Sequence, residues 1–348
     1  MDFNQMIQEI GLESLLSALS SVRREAESET LDFITTRSSN PTPSTRQELS
    51  FSLPRLGDVV EIQGPSASGK SHLLYLLVII CIIPTTYASI SLGGWDKAAI
   101  LFDTDASFDP TRFRRLLTSH LGTALSDKDS DVGEQLVKRS LQNLHIFCPA
   151  STTQLAATLL SLPSYHHTHL PDSEIGILAI DSMSAFYWSD RFAAEQLHTT
   201  NPSTPKESAN PFRHVVTALQ RFHRSHKPLV IFTNWGLTPA QSSPATDVQE
   251  VLTYRQHLNP PPALFPIPEA PAVHSSSGAL PLTLHIVLSV PPLQQIVVGS
   301  SAEDAWAQQL AGTRTNSAIL GVVRSSNSSQ TSKFTLDIQA DRIDISVT

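Results

Sequence analysis

With 348 residues, 40% of them hydrophobic and 16% charged, the chain is long enough for one large α/β domain with an appendage or for two small domains, each able to bury a core. A formal charge of −8 excludes a protein that coats DNA by bulk attraction, because non-specific affinity comes from neutralising phosphates with Lys and Arg. The two cysteines, Cys81 and Cys148, lie in apolar helix-like and strand-like runs, the pattern of reduced, buried thiols, which favours cytosol or nucleus.

The N-terminus has acidic residues and no basic segment ahead of an apolar stretch, so a secretory signal is not expected. Residues 1 to about 28 carry apolar positions at helical spacing (Ile7, Ile10, Leu12, Leu15, Leu16, Leu19), which predicts an amphipathic helix or a broken pair that must bury its face. A polar, Pro-containing linker follows, so residues 1–49 are read as a partner-binding segment and 50–348 as the core.

From residue 50 strands and helices alternate: strand 59–63, helix 72–83, strand 98–103, helix 110–121, strand 144–148, helix 153–162, strand 175–181, helix 211–225, strand 229–233. Strands apolar throughout and separated by helices predict a mainly parallel sheet covered on both faces. The helix at 72–83 contains the longest apolar run, Leu73 to Ile83, well short of the roughly 20 residues needed to cross a bilayer. A Pro/Ser-rich insertion occupies about 238–281, and the chain ends in three alternating runs that predict antiparallel edge strands.

The chemistry begins at "EIQGPSASGKSHLL", a Gly-x4-Gly-Lys-Ser loop between strand and helix. Gly64, Pro65, Ser66, Ala67, Ser68, Gly69, Lys70 and Ser71 would cradle nucleotide phosphate: the glycines allow inward-pointing N–H groups, Lys70 reaches the β- and γ-phosphates, and the Ser71 hydroxyl ligates magnesium. A second magnesium carboxylate is needed at a neighbouring strand end, and Asp181 in "ILAIDSMSAF" supplies it, unless it only caps the next turn. Hydrolysis needs a base near the γ-phosphate. Asp103 and Asp105 in "AAILFDTDASFD" are the candidates, or they cap the turn and the next helix.

Three stretches, "GDVVEIQGPSASGKSHLLYLL", "ILFDTDASFDPTRF" and "ILAIDSMSAFYWSDR", resemble, in that order, the RecA-like recombinase family and its eukaryotic paralogs over about residues 50–237. The resemblance implies a RecA-type phosphate-loop ATPase core with antiparallel C-terminal edge strands, binding ATP and Mg2+. It also implies a nuclear subunit that stacks with other recombinase paralogs and handles DNA, single-stranded or branched, in homologous recombination. By position it puts Asp181 in the magnesium shell and Asp105 where active recombinases carry a catalytic Glu. Ser189 to Asn210 fall at the first DNA-facing loop and Thr238 to Pro281 at the second. Trp235 stands where a Gln senses the γ-phosphate, and a Trp cannot make that amide contact. Asp105 is one methylene short, and a base displaced by about 1 Å can cost on the order of a hundredfold. These departures predict weak or absent hydrolysis. The competing reading is an autonomous DNA-dependent ATPase or motor.

Other motifs carry less. "YHHTHLPD" lacks zinc-site spacing and reads as a solvated loop. "RFHRSHKP" reads as a basic helix end or a phosphate contact. Arg112, Arg114 and Arg115 read as a solvated helix face or, for one of them, a contact to a neighbour's nucleotide. Tyr187 and Trp188 either pack under the strand ending in Asp181 or meet a partner.

Overall fold

The computed structural model describes residues 54–125, 130–200, 211–236, 238–239, 254–255, 280, 282–289, 299–312, 319–326 and 331–347. The chain falls into two units, Met1–Leu56 and Gly57–Thr348, and every described helix and strand belongs to the second. The expected N-terminal helix and linker lie outside the described residues, as does the 238–281 insertion apart from residues 238–239, 254–255 and 280.

In chain order the elements are β1 (Val59–Gly64), α1 (Lys70–Ile82), β2 (Thr86–Tyr87), β3 (Ile90–Ser91), β4 (Ala98–Asp103), α2 (Pro110–Leu125), α3 (Ser130–Gln142), β5 (Leu144–Phe147), α4 (Thr152–His169), β6 (Ile175–Asp181), α5 (Tyr187–Thr200), α6 (Phe212–His226), β7 (Leu229–Trp235), β8 (Thr238–Pro239), β9 (Tyr254–Arg255), β10 (Leu284–Ser289), α7 (Ala302–Gly312), β11 (Ile319–Ser325), β12 (Thr331–Ile338) and β13 (Ile343–Val347). The main sheet has nine strands in the order β13-β12-β11-β10-β1-β7-β6-β4-β5. From β10 to β5 the pairs are parallel. Beyond β10 they are antiparallel. This is the α/β architecture expected of a RecA-like core, and its long apolar strands follow from burial on both faces.

Successive strand residues point to opposite faces. Ile100, Phe102, Leu178, Ile180, Val230 and Phe232 face one way and pack with Leu155 and Leu159 of α4 and Leu219 and Phe222 of α6. The other face receives α1, which contacts β1, β4, β6 and β7. Leu73, Leu74 and Leu77 through Ile82 of α1 are all buried, so this helix is apolar all round because it lies between the sheet and further structure. At about 1.5–3 kcal/mol for each large aliphatic side chain, its burial is a major stabilising contribution.

Several expectations change. α4 runs through Pro163 to His169 instead of ending at Leu162, because its last turns are held by packing: Tyr165 lies edge-on to Phe147 and accepts or donates a 2.8 Å hydrogen bond with His145. "YHHTH" is therefore helical and not a loop, and no cluster of three metal-binding side chains exists among the described residues. Helix α3 was not expected. Tyr187–Thr200 is helix α5 where the first DNA-facing loop was placed, with residues 201–210 outside the described set. Cys148 is exposed, unlike Cys81.

Candidate functional site

β1, β4, β6 and β7 run parallel, so their C-terminal ends share one rim of the sheet, where open α/β folds bind ligands. That rim carries Gly64 and the loop to α1, the Asp103–Asp105 corner, Asp181 and Trp235. The loop is tight. A Cβ on Gly64 would lie 2.5 Å from Ser68 Oγ and 2.7 Å from the Leu288 carbonyl oxygen, so only glycine fits. Gly69, with φ +82°, adopts a left-handed conformation that glycine takes without steric penalty. It also occupies the N-cap position of α1, which has no side-chain cap and no acidic residue in its first turn. The helix N-terminus therefore keeps unsatisfied N–H groups and its partial positive charge, the arrangement that receives phosphate.

Lys70 Nζ donates to the carbonyl oxygens of Gly64 at 3.0 Å and Pro65 at 2.7 Å. Burial lowers its pKa, while the carboxylates of Asp181 and Asp105 act to raise it. Asp181 is buried at the end of β6, accepts from Thr233 Oγ1 at 2.5 Å and is hydrogen-bonded to the Ser71 side chain. Desolvation raises its pKa; the two hydroxyls and Lys70 oppose that shift, and Asp105 adds to it. Hard oxygen donors from Ser71 and Asp181 beside a phosphate cradle suit magnesium. The residues present thus fit a magnesium nucleotide.

The two aspartates after β4 divide their tasks. Asp103 is buried and accepts from the backbone N–H groups of Ser107 (3.0 Å) and Phe108 (3.1 Å), which makes it the turn-forming carboxylate. Asp105 is exposed, and its charge acts on both Lys70 and Asp181. On β7, Trp235 sits opposite Gly64 in register, half-buried, with its backbone N–H donating to Ser184 Oγ at 3.0 Å.

The chain is similar to the DNA repair protein XRCC2 of Mus musculus, 31% identical over 161 residues, covering 46% of this chain and 52% of that protein. The DNA repair protein XRCC2 homolog of Arabidopsis thaliana is 26% identical over 232 residues, 59% of this chain and 61% of its own. The DNA repair protein RAD51 of Mycosarcoma maydis is 24% identical over 147 residues, 41% and 37% of the two chains. These similarities agree with the resemblance to RecA-like recombinases seen in the sequence motifs. The chain spans roughly a third to three fifths of the length of these curated relatives, and no family model matches it.

Within this α/β core, some site-building residues escaped the sequence reading. Ser184 Oγ donates to Asn234 Oδ1 (3.1 Å), and Asn234 Nδ2 donates to Glu61 Oε1 (2.6 Å), a buried chain that ties β7 to β1 just behind the phosphate loop. Their signal was present as polar letters inside apolar strands, "VVEIQG" and "LVIFTNW". Asn234 is thus committed to Glu61, on the strand face away from Thr233. The basic end of α6 is a helix terminus, with His223 Nε2 2.9 Å from the Gly57 carbonyl oxygen. Tyr187 packs on the core, whereas Trp188 is exposed.

Proposed function

We propose that this chain is an ATP-binding subunit of a hetero-oligomeric assembly of recombinase paralogs, serving homologous recombination and DNA double-strand break repair in the nucleus. The observation that carries the reading is the joining of Ser71 and Asp181 at the mouth of a glycine-cradled loop. Gly64 to Ser71 would hold the phosphates, and Ser71 with Asp181 would hold Mg2+, which screens phosphate charge when bound. The role in recombination is supported by relatives whose names state DNA repair. DNA, single-stranded or branched, would be engaged through the assembly, consistent with a net charge of −8.

Nucleotide here serves assembly more than turnover. Asp105 is exposed and one methylene shorter than the family's Glu, and Trp235 offers no amide to a γ-phosphate. The test is to purify the chain, measure binding of a non-hydrolysable ATP analogue with magnesium, and follow ATP turnover with and without single-stranded DNA. Affinity capture from the native cell reads the partners. The expected result is magnesium-dependent binding, little turnover, and co-purification of other recombinase paralogs. Robust DNA-stimulated turnover that disappears in Lys70→Ala would replace this reading with that of a self-sufficient motor enzyme.

A further inference from the structure

The C-terminal hairpin meets the phosphate-loop end of the sheet at two points. At the first, Gly69 lies under two side chains of β12 and one of the adjoining β11: an added Cβ would be 2.7 Å from Ile338 Cδ1, 3.2 Å from Leu336 Cδ2 and 3.0 Å from Ile319 Cδ1. At the second, the Arg112 guanidinium donates to the carbonyl oxygen of Gln339 in the β12–β13 turn. Arg112 stands in the first turn of α2, shortly after the Asp105 corner, where Asp109 Oδ1 accepts from its backbone N–H at 3.0 Å. The turn itself is braced: Gln339 N–H donates to the Arg342 carbonyl at 2.8 Å, and Arg342 Nε pairs with Asp344 at 2.6 Å. A displacement at Gln339 is therefore carried into β13, the last strand of the sheet.

We infer that the β12–β13 hairpin is a clasp whose hold on edge strand β13 tightens when the phosphate loop is filled; this rests on the nucleotide-binding reading. Lys70 and the loop N–H groups are the elements a phosphate would draw together. Gly69 follows them, and packed side chains do not deform continuously, so Ile338, Ile319 and Leu336 must reseat with it. The Asp105 corner passes the same event to Gln339 through Arg112.

The test is hydrogen exchange by mass spectrometry on the full chain, with and without a saturating non-hydrolysable ATP analogue and magnesium, with occupancy measured separately by calorimetry. Exchange across residues 331–347 is expected to slow by about 5- to 10-fold, the lower range of ordinary coupling between sites. Ile338→Ala, at saturating analogue, is expected to bind within about threefold of wild type and to lose most of that slowing. Calorimetric binding with unchanged exchange at 331–347 in the wild type overturns the clasp and leaves the nucleotide reading standing. Absence of binding removes both. Full slowing retained in Ile338→Ala also overturns the clasp, and if that variant does not fold, the wild-type comparison decides alone.

Discussion

Thr233 Oγ1 donates to Asp181 Oδ1 across 2.5 Å, joining the ends of β7 and β6 beneath the phosphate loop. The contact keeps a buried carboxylate oriented, yet burial still raises its pKa. A carboxyl whose folded pKa lies above its unfolded value favours folding at low pH, and that contribution is lost as pH rises through the folded pKa. Above that folded pKa, Asp181 therefore works against stability. Asp181→Asn is expected to raise stability by about 1 kcal/mol, or about 2–4 °C in Tm, while abolishing the proposed magnesium-dependent nucleotide binding. Thermal melts beside calorimetry at pH 7 check both halves.

His285 gives the opposite slope. It is buried on β10, with Glu61 and Gln63 facing it from β1 and Arg324 opposite it on β11, and desolvation together with the Arg324 charge pushes its pKa down to about 4. A histidine held neutral in the fold but free to protonate when unfolded makes stability fall as pH drops from about 6.5 toward 4, by about 3 kcal/mol over the window. Urea unfolding at pH 7 and pH 5 should show this loss, and His285→Gln should flatten the acid limb.

Asp105→Glu lengthens the carboxylate by one methylene and, on the proposed nucleotide-binding reading, is expected to raise any residual ATP hydrolysis, with a further rise when combined with Trp235→Gln. The gain is expected to be about tenfold for the pair. Single-turnover assays check this; an unchanged or lower rate in Asp105→Glu would show that the base sits elsewhere.

Asn234→Ala withdraws an amide donor from the buried Glu61 carboxylate and an acceptor from Ser184. The expected cost is about 2 kcal/mol or more, because a fully buried acceptor loses its short hydrogen bond inside the sheet. Equilibrium denaturation reads it, and Asn234→Asp should cost more, since it sets two carboxylates against each other.

The residues of the candidate site stood out in the sequence because their chemistry is local. The phosphate loop needs glycines, Lys70 and Ser71 at set spacing after a strand, and the strand ending in Asp181 is apolar without interruption. The parallel core followed from the same alternation. What stayed hidden depended on contacts distant in sequence. Only the structure separates Asp103, spent on two backbone N–H groups, from exposed Asp105. The helix expected to end at Leu162 continues through Pro163, because Tyr165 packs against β5. The helix over Tyr187–Thr200 followed a strand end in a polar stretch, where local pattern favours a loop.

Strand β1 sits in the middle of the sheet, yet one of its neighbours, β10, comes from the far side of the chain: Val59 N–H bonds Thr283 Oγ1 across a sequence separation of 224 residues. During synthesis, then, the strand that leads into the phosphate loop has an open flank until most of the chain has emerged. A product ending before Thr283 would retain every residue of the loop and both acidic corners, but would lack the Leu288 carbonyl that closes on Gly64. Its central strand would become an unpaired edge, a template for aggregation rather than a smaller working core.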